Sequence, residues 1–279
     1  MRLQPFLLGT LVSATLLISC KNNDKKEEPA MKEPALKEEN VTYSPEGNKD
    51  SLVLDGYVVY DANIEGKRPA VLVIHEWWGL NDYTKMRARE LAKLGYIAMA
   101  LDMYGNGRKG ENPDSAGKLA MPFYQNPQMA RERFDAALKT LKGYAQTDGG
   151  NIAAIGYCFG GAMAITMARL GEDLKGVVSF HGNLNVVPAN KDLLKAPILV
   201  CHGAADSFVP QAEVDKFKKQ MDSIGATYTF KAYEGASHAF TNPDATATGA
   251  KFNLPIKYDA AADTASWKDM REFFTQIFK

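Results

Sequence analysis

Ile155-Gly156-Tyr157-Cys158-Phe159-Gly160-Gly161 is the stretch that decides the fold. It follows an apolar run at residues 151–156 that reads as a strand. It opens a helical pattern over residues 160–170. A cysteine flanked at two residues by glycine, on a sharp strand-to-helix bend, is the G-x-S-x-G nucleophile elbow with cysteine in place of serine. Small residues must flank such a bend. The helix N-terminus behind it carries partial positive charge, which favours a thiolate and a developing oxyanion. The backbone N–H of Phe159 is placed to be one oxyanion donor. The structural alternative is an inert buried cysteine beside a glycine-rich helix start.

Outward from the elbow, strand and helix patterns alternate. Residues 70–74 are a continuous apolar run, as expected of a strand covered on both faces, residues 96–101 read as another buried strand, and residues 177–180 and 197–201 as further short strands. Helical spacing covers residues 83–94, 128–144, 211–224 and 260–278. Leu52-Val53-Leu54 and Tyr57-Val58-Val59-Tyr60 flank Asp55-Gly56, which reads as a hairpin turn. The alternation predicts an α/β fold with a mostly parallel central sheet and helices on both faces, and with the elbow it resembles the α/β-hydrolase fold. Functional residues then collect at the carboxyl ends of strands. Residues 103–127 read as a flanking loop with a short helix that helps to set specificity.

The triad of this fold runs nucleophile, acid, histidine in chain order. Asp206 lies in a loop just past the 197–201 strand, and His238 lies in a loop after the last strand pattern. His238 is expected to hold the thiolate as an ion pair and to pass a proton to the leaving group. Asp206 would fix its tautomer and orientation. His181, His202 and His75 also sit near strand ends; the simplest reading of His181 and His202 is structural. Cys201 lies within an apolar strand and reads as an inert core thiol.

Five segments together resemble the dienelactone hydrolase family. They are Val73-Ile74-His75-Glu76-Trp77-Trp78-Gly79-Leu80-Asn81; Ala100-Leu101-Asp102-Met103-Tyr104-Gly105; the elbow; Cys201-His202-Gly203-Ala204-Ala205-Asp206; and Gly235-Ala236-Ser237-His238-Ala239-Phe240. The resemblance runs from about residue 50 to the end. It implies that Glu76 contacts the resting thiol and helps to activate it. It also implies that the N–H of Trp77 is the second oxyanion donor. Trp78, Tyr104 and Phe240 are the expected pocket residues. In family members that hydrolyse dienelactone, two arginines hold the substrate carboxylate. Here Arg108 is displaced from one expected position and Asn242 occupies the other, and asparagine cannot form a bidentate clamp. The expected activity is hydrolysis of small carboxylic esters or lactones through an acyl-cysteine, with weak or no action on dienelactone. A non-catalytic binding protein, or a peptidase or acyltransferase using the same triad, are the alternatives.

The bulk properties fit this reading. The chain has 279 residues, with 33 basic and 33 acidic side chains, and 46% of it is hydrophobic. Zero net charge gives no reason to expect a nucleic-acid partner. No metal or organic cofactor is implied, because no ligand cluster of suitable spacing occurs. The three cysteines sit in unlike surroundings, which argues against a disulfide framework.

The first 50 residues differ from the rest. Residues 6–18 form an apolar run too short to span a bilayer, which takes about 20 residues, but suited to an export signal. Leu17-Ile18-Ser19-Cys20 resembles the bacterial lipoprotein signal. The resemblance implies removal of residues 1–19 and acylation of Cys20, which anchors the chain to a lipid bilayer. Lys21 after the cysteine points to the outer membrane within the cell envelope. Residues 20–50 are rich in Lys, Glu, Asn and Pro and read as a lipidated, flexible, charged linker. The folded domain is then expected over residues 51–279, acting as a monomer.

Overall fold

The computed structural model describes residue 1, residues 33–47 and residues 52–279. The expected signal segment and the lipidation site Cys20 lie outside the described residues. Pro34–Lys279 forms one compact unit.

The apolar runs become the centre of one sheet. Strand β3 (Arg68–Ile74) pairs in parallel with β4 (Ile97–Leu101) on one side and with β5 (Thr147–Tyr157) on the other. Beyond β5 the parallel ladder continues through β6 (Gly176–Phe180), β7 (Ile198–Gly203) and β8 (Tyr228–Tyr233). Beyond β4 lie two antiparallel strands, β2 (Leu54–Asp61) and β1 (Leu36–Tyr43). The order among the described residues is β1-β2-β4-β3-β5-β6-β7-β8.

Alternation along each strand sends neighbouring side chains to opposite faces, and this produces two cores. On one face Leu72, Ile74, Met99 and Val200 meet helices α3 (Pro127–Lys142), α4 (Phe159–Arg169) and α5 (Gln211–Ser223), through side chains such as Phe134, Met163 and Phe217. On the other, Val71, Val73, Ile155 and Val178 meet α1 (Asp82–Lys93) and α7 (Ala260–Ile277), through Leu91, Met270 and Phe274. Every residue of α4 is buried, as its apolar circumference requires. The expected α/β-hydrolase arrangement of a mostly parallel sheet with helices on both faces is therefore observed.

Two expectations are corrected here. The composition of residues 36–43 predicts part of a flexible linker, but they form β1, paired along its full length with β2. Their charge is that of an edge strand. Lys37 pairs with Glu39, and Glu38 with Arg89, on the solvent side, while Tyr43 is buried at the strand's end. Charge on an edge strand discourages pairing with other chains, so it does not exclude the strand from the sheet. The Asp55-Gly56 hairpin is also absent. Both residues run inside β2, where Gly56 stands opposite Val41, and a Cβ there would crowd Met99 and Tyr43.

Candidate active site

The elbow is built as its chemistry demands. Strand β5 ends at Tyr157, α4 begins at Phe159, and Cys158 between them takes φ 53° and ψ −116°. A non-glycine residue with positive φ is strained and needs its surroundings to hold it. Here the Cys158 N–H donates to the Phe180 carbonyl at 3.0 Å and to His181 Nδ1 at 3.1 Å. A Cβ on Gly156 would land on the Gly160 carbonyl, and one on Gly160 would land on the Ile74 carbonyl. Glycine is therefore required at both flanks.

His181 has a defined task. Its Nδ1 accepts from the elbow, so its proton sits on Nε2, which faces Thr241 Oγ1 at 2.8 Å. Burial, then the positive charges of His238 and Arg87, hold it well below the usual histidine range, so it stays neutral. Thr241 is fixed in turn by the Tyr83 hydroxyl at 2.6 Å, and its carbonyl accepts from Arg87 at 2.6 Å. The loop that carries His238 is thus tied to the core beneath the elbow.

His238 Nδ1 lies 2.8 Å from Asp206 Oδ2, and both residues are buried. The other carboxylate oxygen of Asp206 accepts from the N–H groups of Phe208 at 2.9 Å and Val209 at 3.3 Å, which fixes its orientation. Burial opposes a charged His238 ring. The Cys158 sulfur and the Asp206 carboxylate outweigh that penalty and push it up to about 10. Cys158, His238 and Asp206, far apart in the chain, are thus brought together.

Glu76 lies just past β3. Its Oε2 accepts from Asn242 Nδ2 at 2.7 Å, and both side chains are buried. Burial pushes the carboxyl up to about 7, with the Asn242 hydrogen bond and the His238 charge pulling the other way. The next residue, Trp77, is fixed by its carbonyl, which accepts from the Tyr104 hydroxyl at 2.8 Å. Tyr104 is held by its own N–H on Asp102 Oδ1 at 2.8 Å. His75 donates from Nδ1 to the Glu76 carbonyl, accepts from the Met103 N–H at 3.2 Å, and stacks on Phe159. It supports the strand end.

These groups open onto a cavity of about 790 Å³. Glu76, Trp77, Trp78, Cys158, Phe159 and His238 line it. Two expected pocket residues are corrected. Tyr104 is 1% exposed and stands behind the wall among His75, Phe123 and Phe159; Phe240 is 0% exposed and packs on His181 and Tyr233. Each shapes the site from beneath. Arg108 also stays away from the cavity, since its guanidinium donates to the Gly105 and Tyr104 carbonyls.

The remaining walls draw on the flanking stretch 103–127, as expected, and on loops for which the sequence carries no expectation. They come from helix α2 (Pro113–Gln125), from Asn183, Asn185 and Val186 after β6, from Phe208, and from Leu254 and Ile256 beyond helix α6 (Ala245–Phe252). The i, i+4 and i, i+3 steps from Gly117 through Met121 to Tyr124 were the available signal for α2. The loop residues carry no periodic signal. Among the described residues no group of three or more His, Cys, Asp or Glu is arranged to hold a metal ion.

A mostly parallel sheet with a strained nucleophile elbow, and with the acid and histidine loops at the strand ends, defines an α/β hydrolase. The sequence profile of the dienelactone hydrolase family matches residues 54–278. The chain belongs to that family and is a dienelactone hydrolase-like hydrolase. Among curated relatives, the usf protein of Aquifex pyrophilus is 31% identical over 202 residues, covering 71% of this chain and 86% of that one. A protein of Aquifex aeolicus (strain VF5), named as a carboxymethylenebutenolidase, has the same identity and coverage. Among solved structures, a dienelactone hydrolase-like promiscuous phosphotriesterase from metagenomic libraries is 32% identical with a TM-score of 0.80, covering 87% of this chain and 99% of that one.

Proposed function

We propose that this chain hydrolyses carboxylic esters or lactones of small molecules through an acyl-cysteine intermediate, with Cys158, His238 and Asp206 as its triad. The observation that carries this reading is His238, held on Asp206 at 2.8 Å and pushed up by Cys158 at a strained elbow beside a large cavity.

The steps follow from the geometry. The Cys158 thiolate attacks the ester carbonyl carbon. The oxyanion that forms is met by the N–H of Phe159, which opens α4 and has no partner within the helix, and by the N–H of Trp77. The C–O bond breaks, protonated His238 gives its proton to the departing alkoxide, and the acyl group remains on sulfur. Neutral His238 then takes a proton from water, the hydroxide adds to the thioester carbonyl, and the thiolate leaves as the acid departs. Asp206 stabilises the imidazolium in both halves. Glu76 helps to set the charge of the thiol.

Cys158→Ala is expected to abolish turnover of p-nitrophenyl acetate while the fold persists; unchanged turnover would remove Cys158 from the mechanism. The resemblance to a phosphotriesterase at 32% identity motivates a second activity of the same residues. Release of p-nitrophenol from paraoxon, lost in Cys158→Ala, tests it. We further propose that the enzyme acts as a monomer tethered through acylated Cys20 in the cell envelope, at the outer membrane. Cys20→Ala should move it from the membrane fraction to the soluble one, and an unchanged distribution would reject the anchor.

A further inference from the structure

Helix α2 forms one wall of the cavity through Gly117, Ala120, Met121 and Tyr124. Gly117 sits near the middle of this helix, where glycine is less favourable than alanine because it loses more chain entropy on ordering. The local packing does not call for it. Its φ is not in the left-handed region, and a Cβ built on it meets no atom within 4 Å. At Gly156 and Gly160, by contrast, a Cβ would strike the backbone. Position 117 thus combines open space where a side chain would begin with a place in the cavity lining.

The surroundings of that space are apolar. One turn on, Met121 is 49% exposed, and Phe208 on the loop after β7 is 42% exposed. Both line the same cavity. Large apolar side chains left in water beside a cavity mark a surface that a ligand covers. Of the cations in the lining, His238 is held by Asp206 and the Cys158 sulfur and Lys216 belongs to the exposed face of α5, so the lining offers no free buried partner to a bound anion.

We propose that Gly117 is a specificity-determining residue: the gap at its position, rimmed by Met121 and Phe208, admits an extended apolar chain of an uncharged ester. This rests on the ester-hydrolase reading for its catalytic consequence, but chain binding itself does not require turnover. Gly117 touches neither the thiol nor the imidazole, and its part is to leave room.

The test uses the full chain with Gly117→Ala, Gly117→Leu and Met121→Ser. Gly117→Ala is expected to raise Tm by about 2–4 °C, as for a helix-stabilising change in a chain of this size, and this shows that the backbone tolerates a side chain there. Binding is read with 2-decanone, an uncharged ketone that cannot be hydrolysed, by quenching of Trp77 and Trp78 fluorescence. Gly117→Leu should raise its Kd at least tenfold, and Met121→Ser should raise it severalfold. Turnover is read as kcat/KM on p-nitrophenyl octanoate against p-nitrophenyl acetate, and on octyl acetate against ethyl acetate. A tenfold fall in either long-to-short ratio in Gly117→Leu supports the inference and says which side of the ester holds the chain. A folded Gly117→Leu protein with unchanged 2-decanone affinity overturns it. If the wild type turns over no ester at all, the hydrolase reading fails, and the ketone titration still decides the role of Gly117.

Discussion

Replacing Glu76 by glutamine should stabilise this protein, and increasingly so as the pH rises. The side chain is buried at the end of β3, and burial lifts its carboxyl from 4.5 to about 7. A folded-state value above the unfolded one means that the stability tied to the proton is fully present below pH 4.5 and is lost as pH rises through about 7. Each pH unit between those values costs about 1.4 kcal/mol. Between pH 5 and pH 8.5 the wild type should therefore lose about 2–3 kcal/mol that Glu76→Gln keeps. The amide oxygen preserves an acceptor for Asn242 Nδ2. Any fixed effect of the substitution cancels in the difference between the two pH values. For a chain of this size, that difference corresponds to roughly 5–10 °C in Tm. Paired thermal or urea unfolding at pH 5 and pH 8.5 reads it directly. A wild-type-minus-variant difference that stays flat within about 1 kcal/mol across this range, or that favours the wild type at high pH, would refute the reasoning. The same variant should lose esterase activity if Glu76 helps to set the charge of the thiol, so stability and activity move in opposite directions.

Other expectations follow from the same geometry. Asp206→Asn disturbs the tautomer of His238 and removes the charge that offsets its burial, and kcat should fall by about 10²–10⁴; a loss of less than fivefold would contradict the role given to Asp206. Gly160→Ala drives a methyl group into the Ile74 carbonyl and should cost more than about 3 kcal/mol or prevent folding, as seen by circular dichroism. With Arg108 turned away and Asn242 held on Glu76, a carboxylate-bearing ester should be turned over at least tenfold less efficiently than its neutral counterpart, measured as kcat/KM on p-nitrophenyl hemisuccinate against p-nitrophenyl butyrate. Equal efficiencies would point to a cation that reaches the substrate. Dienelactone, for the same reason, should be a poor substrate.

Much of this could be read along the chain because the controlling physics is local. Short apolar runs alternating with helical patterns fit buried parallel strands, and glycine two residues either side of Cys158 marks the two positions at which the bend leaves no room for a Cβ. The chain order of Cys158, Asp206 and His238 named three groups that the fold then brings together. Residues 36–43 misled the reading because an edge strand exposed to water has the composition of a linker. Its place in the sheet depends on a partner, β2, that the composition cannot reveal. Asp55-Gly56 misled it for the complementary reason. A turn-forming pair is only a tendency, and here Gly56 is small to fit beneath Tyr43 and Met99.

The sequence by itself determined the order of the central parallel strands and of the helices that alternate with them, the strained elbow at Cys158 and the identities of its candidate partners, while the pairing of the two antiparallel strands β1 and β2 escaped it. Only the tertiary structure decided which side chains face the cavity. Tyr104 and Phe240 lie near it in sequence yet point into the core, while Phe208, Leu254 and Gly117 come to it from distant loops and from α2. It also decided that His181 holds the elbow backbone and that Asn242 holds Glu76. Those pairings join residues 23 and 166 positions apart. No local preference encodes them, because they exist only once the sheet has brought its strand ends together.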